Sequence, residues 1–117
     1  MSKSTLFDPT QIGVLHLAEA TQFSDTGIVS RALHDQGGVR MTLFALAIGQ
    51  RLTEHATPAR ALVQILSGAC EFSLAGKTTP LRAGDLLHMP PGLPHAVLAT
   101  EAFSMLLVTI RETPAAD

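Results

Sequence analysis

The chain has 117 residues, room for one domain and no second core. Hydrophobic residues make up 46%, charged residues 15%, and the formal net charge is -2, which excludes a disordered chain and gives no footing for a phosphate backbone. A single cysteine, Cys70, excludes an intrachain disulfide and a Cys-based zinc site, and the absence of Trp and Tyr excludes a phenol acid–base group and a stacked-aromatic platform.

The segment from Met1 to Thr5 lacks the apolar run of a signal peptide. No apolar stretch approaches the length of a membrane span, so a reducing, cytoplasmic setting is expected. Asp8-Pro9 places a capping residue before a proline suited to a first helical position. Ile12, Leu15, Ala18 and Glu19 could continue a short helix from there, with a strand as the alternative. Residues 1–26 are therefore read as an N-terminal segment, 27–112 as one β domain, and 113–117 as a frayed tail.

From Gly27 onward, turn signals recur at short intervals, as in an all-β sandwich or barrel. Strands are expected from Ile28 to Leu33 and from Val39 to Ile48. The second is apolar on both parities, which suits a strand buried on both faces or in a dimer interface. Cys70, Phe72 and Leu74 alternate with Glu71 and Ser73, a half-buried strand that turns at Ala75-Gly76-Lys77 into Thr78 to Leu81. Phe103 to Ile110 reads as the final strand. The apolar composition and scarce aromatics suit a homodimer that shares core surface.

Two segments carry histidines beside stiff turns. One runs from Gly49 through His55, Thr57, Ala61 and Gln64 to Gly68. The other runs from Gly84 through Pro90, Pro91, Gly92, Pro94 and His95 to Ala99. The chain here resembles the cupin superfamily, whose first motif is G-x5-H-x-H-x3-E-x6-G and whose second is G-x5-P-x-G-x2-H-x3-N. Gly49, His55 and Gly68 fall on the first, and Gly84, Pro90, Gly92 and His95 on the second. The short gap between them is that of small single-domain RmlC-like cupins. The resemblance implies an all-β double-stranded β-helix, the jelly-roll barrel. It also implies a divalent metal, Zn, Ni, Fe or Mn, held by motif histidines and a glutamate. Here the second histidine position is Thr57, the glutamate position is Ala61 and the final asparagine position is Ala99, so the metal motif is degenerate. Only His55 and His95 remain as metal ligands, with Gln64 as a substitute oxygen. Ala61, Val63 and Ile65 share one strand parity, so Gln64 reaches inward only across a bulge.

Three functions are consistent with this pattern. The first is a barrel that binds a small molecule through His55, His95, Gln64 and Thr57. The second is a metal-dependent enzyme of dioxygenase or isomerase type at His55 and His95, with water or Gln64 completing the site. The third is a dimeric barrel with a filled pocket. Neither nucleic acid nor membrane is an expected partner. His88 reads as a strand-face or interface residue, and His16 and His34 as solvated or capping residues. Cys70 reads as a buried inert thiol.

Overall fold

Residues 5–112 are described by a computed structural model of the chain. Runs rich in Val, Ile, Leu, Thr and Phe, closed by glycine and proline turns, pair as antiparallel strands. In chain order these are β1 (Val29–Gln36), β2 (Val39–Leu46), β3 (Arg51–His55), β4 (Arg60–Ser67), β5 (Ala69–Leu74), β6 (Lys77–Arg82), β7 (Leu86–Met89), β8 (His95–Ala99) and β9 (Phe103–Ile110). A five-stranded sheet has the order β1-β2-β9-β4-β7, and a four-stranded sheet has the order β3-β8-β5-β6. This is the all-β jelly roll expected from the sequence. Leu46, Val63, Ile65 and Phe103 from the first sheet meet Cys70, Phe72, Val97 and Ala99 from the second in one buried core. Each large apolar side chain so buried contributes about 1.5–3 kcal/mol relative to exposure.

The two-sided pattern of β2 is met within one chain. β2 lies between β1 and β9. Thr42 and Leu46 are buried on one parity, and Leu43 and Ala45 on the other. The strand stops at Leu46, short of Ile48, which is well exposed.

The N-terminal segment departs from the reading that starts a helix at Asp8-Pro9. The helix α1 spans only Leu17–Ala20, so Ala18 and Glu19 belong to it and Ile12 and Leu15 do not. Asp8 spends its carboxylate locally: Oδ1 accepts from the Thr10 N–H at 2.9 Å and the Thr10 hydroxyl at 2.8 Å. These two bonds also hold its pKa below the ordinary value. Such an Asx turn competes with helix, and Gly13 and the β-branched Ile12 and Val14 weaken helix further. Before that turn, the Leu6 and Phe7 N–H groups donate to the Ala32 and Leu33 carbonyls, each at 3.0 Å. The segment is thus tied to β1. The tail at 113–117 lies outside the described residues.

Two backbone positions show how turns set the register. The β5–β6 hairpin closes on Ala75 at φ 50° and Gly76 at φ 84°, the two left-handed residues of a type I′ turn, between the paired Leu74 and Lys77. Gly68, at φ 73°, joins β4 to β5 where a Cβ would lie 1.9 Å from the Ala102 carbonyl oxygen. Only glycine fits there. Among the described residues no helix is long and apolar enough to cross a membrane.

Candidate functional site

His55 borders the mouth of the barrel because β3 is irregular. In a regular strand Leu52 and Glu54 would share a face, and His55 would point the other way. The pairing of β3 with β8 shifts register between Leu52, opposite Val97, and His55, opposite His95. The shift sets Thr53 and Glu54 along a cleft on the outer face of the sheet, while Leu52 and His55 both line an internal cavity. A bulge that re-aims one side chain in this way is common beside sites.

His95 is placed by the stiff loop before β8. The Gly92 N–H donates to the Thr57 carbonyl at 2.8 Å, and the Ala75 N–H donates to the Pro94 carbonyl at 2.9 Å. The first of these bonds ties the second histidine segment to the first. Pro90, Pro91 and Pro94 leave the loop little freedom.

The two imidazoles meet as a cross-strand pair, with ring centroids 4.3 Å apart and planes tilted by 58°. His95 is 9% exposed, whereas His55 lies at the open side. Each ring is held by the backbone two residues earlier. His55 Nδ1–H donates to the Thr53 carbonyl at 3.0 Å, and His95 Nδ1–H donates to the Leu93 carbonyl at 2.8 Å. A carbonyl oxygen only accepts, so each neutral ring carries its proton on Nδ1 and its lone pair on Nε2.

The cavity beside the pair measures about 200 Å³ and lies between the sheets. Apart from the histidines, its lining is apolar: Phe44, Val63, Met105 and Leu107 on one side and Leu52, Phe72 and Val97 on the other, with Met89 on β7. Of these, Val63 and Phe72 fall on the strand parities read from the sequence as shared by Ala61 and Ile65 and by Cys70 and Leu74. Met89 and Met105 are buried in the core and also border this space.

The other expected site residues lie elsewhere. Gln64 is exposed on β4, between the buried Val63 and Ile65. The register of β4 against β9 and β7 is regular through this position, so no bulge turns it inward and it is not part of the site. The Thr57 hydroxyl accepts from the Ala59 N–H at 3.2 Å. It borders a separate surface cleft with Asp35, Arg40 and Arg111, so Thr57 helps position the loop and does not line the cavity. Ala61 is buried at the position where the cupin motif has glutamate.

This donor set does not fit a resident metal. Two imidazole rings lie side by side, no carboxylate joins them, and a catalytic zinc ordinarily takes three protein ligands. Among the described residues no group of three His, Cys, Asp or Glu side chains is placed to hold a metal ion.

The remaining reactive groups are accounted for by structure. His88 Nε2 accepts from Arg60 Nη1 at 2.6 Å, and Arg60 Nε donates to Glu112. That cluster is exposed and separate from the cavity. His16 precedes α1 without making a side-chain cap bond, and His34 is paired with Met41 across β1 and β2. Burial, and after it the Asp85 carboxylate, pushes the Cys70 thiol up to about 12, so it is not a nucleophile at neutral pH.

Known proteins carry the same arrangement of strands. A conserved protein of unknown function from Streptococcus pyogenes is 33% identical. The match covers 97% of this chain and 99% of that one, with a TM-score of 0.82. A cupin superfamily protein from Desulfitobacterium hafniense is 26% identical over 93% of this chain and 100% of its own, also at TM-score 0.82. A Cupin 2 conserved barrel domain protein from Leptotrichia buccalis is 33% identical over 82% of this chain and 47% of its own, at TM-score 0.78. No curated protein matches the chain. The family model described as a cupin domain matches residues 42–110, a span that includes both histidines and every residue lining the cavity, and the chain belongs to the cupin family.

Proposed function

We propose that this cupin binds a small, largely apolar molecule in the barrel cavity, with His55 and His95 as its polar contacts. The observation that carries this reading is the contrast inside the cavity: about 200 Å³ of space, apolar walls, and two polar side chains placed side by side. A few convergent polar groups in an apolar concavity are the usual form of a small-molecule site. For scale, an apolar cavity of roughly 150 Å³ accepts benzene. A molecule of one ring or a short branched chain is therefore the right size.

The two other functions are less well supported. A metal-dependent enzyme needs ligands that Ala61, Thr57 and Gln64 do not supply. A filled barrel is at odds with the open volume. The test is thermal denaturation with metal-chelated protein and a panel of small single-ring compounds. A ligand that binds only the folded state raises the melting temperature with concentration. The expected result is such a rise for at least one apolar ring compound, reduced when Val63→Phe fills the cavity. A panel with no effect on either protein, or a metal content near one per chain that is lost in the His55→Ala/His95→Ala variant, would overturn it.

A further inference from the structure

We infer that the ligand is an uncharged single-ring phenol, bound through hydroxyl hydrogens that it donates to the Nε2 atoms of His55 and His95. This inference rests on the cavity-binding reading above. The Nδ1 atoms of both rings are engaged by the Thr53 and Leu93 carbonyls. Each neutral ring therefore offers an acceptor and no donor. The remaining cavity side chains offer neither an N–H or O–H donor nor a charge.

That asymmetry selects among ligand chemistries. With both rings neutral in mildly alkaline solution, a carboxylate would bring negative charge against two lone pairs. An ammonium would be stripped of water without a carboxylate partner. Both are costly in an apolar cavity. A sugar would bury several hydroxyls and satisfy two at most. A phenol donates its O–H to Nε2 and leaves an apolar ring. Phe44, Phe72, Met89 and Met105 line the space that the ring would enter. Aromatic edges and thioether sulfurs are favourable neighbours for a ring. Two imidazoles side by side provide for a second hydroxyl, so a catechol would use both.

The experiment measures dissociation constants by calorimetry for catechol, phenol, anisole, benzoate and toluene. It uses metal-chelated protein in mildly alkaline, reducing buffer. One net hydrogen bond contributes about 0.5–1.5 kcal/mol, which is roughly a 3- to 10-fold change in affinity. Catechol is expected to bind about 3- to 10-fold tighter than phenol. Phenol is expected to exceed anisole by at least about 10-fold, because the ether sets an oxygen lone pair against Nε2. Benzoate is expected to be weakest. In His55→Ala the phenol-to-anisole ratio falls toward one. His55 is the more exposed partner, so this variant is the safer one to fold, and His95→Ala serves as the second.

Equal affinity for phenol and anisole, with toluene also binding, would overturn the donor assignment and leave cavity binding standing. Tighter binding of benzoate than of phenol would overturn it in favour of an anion site. If none of the five binds, including toluene, the cavity reading itself fails and the phenol assignment fails with it.

Discussion

Replacing Gly68 with alanine tests whether the β4–β5 turn is fixed by space as well as by backbone angle. Two effects add. A non-glycine residue in the left-handed region, here φ 73°, costs about 1–2 kcal/mol. The new Cβ would also lie 1.9 Å from the Ala102 oxygen and 2.8 Å from both the Ala102 carbonyl carbon and the Phe103 Cα. That backbone must retreat by more than about 1 Å to restore ordinary contact. It has little room, because Phe103 is fully buried and the Ser104 hydroxyl is bonded to Ser67 at 2.6 Å. Overpacking of this kind costs about 1–3 kcal/mol. The expected loss is therefore about 2–5 kcal/mol, against about 1–2 kcal/mol for Gly92→Ala. Gly92 has φ 83° and nothing within 4 Å of an added Cβ, so strain acts there alone. Urea denaturation followed by circular dichroism would measure both. At this chain length 1 kcal/mol corresponds to a shift of roughly 3–6 °C in melting temperature. Equal losses in the two variants would refute the steric argument and leave backbone strain as the whole effect.

Three further outcomes are expected. Ala75→Gly should stabilise the protein by about 0.5–1 kcal/mol, because it relieves the left-handed alanine of the β5–β6 turn. A lower urea midpoint for this variant would contradict that. Cys70 should be unreactive toward a thiol reagent in native protein and react fully in denaturant. Burial pushes the folded thiol from its ordinary 9.0 up to about 12, so stability from this group is intact below pH 9 and falls as pH rises toward 12. Fast native labelling, or stability that increases across that range, would refute the assignment. Light scattering should give twice the 12.4 kDa chain mass for the homodimer expected from composition, and a value of one chain mass would refute it.

The strands were legible because their residues face a simple choice between two parities, punctuated by glycine. Phe103 to Ile110 coincides with β9 at both ends. Gln64 was legible in the same way: its parity opposes Val63 and Ile65, and because the one register shift of β4 against β9 falls after Ile65, it stays outside. The helix start at Asp8-Pro9 misled because an aspartate caps an Asx turn with the same oxygen that caps a helix. The contact between His55 and His95 depends on a register shift in β3, and a one-residue shift leaves no mark in residue type. The cavity is a difference between side-chain volumes on two sheets, which no single strand records.

The bonds from Leu6 and Phe7 to Ala32 and Leu33 have a consequence for solubility. β1 ends the five-stranded sheet, and at eight residues it is twice the length of β7 at the opposite end. A long strand with free N–H and C=O groups is a template for pairing with other molecules. By occupying part of that margin, the N-terminal segment acts as a guard against intermolecular sheet growth.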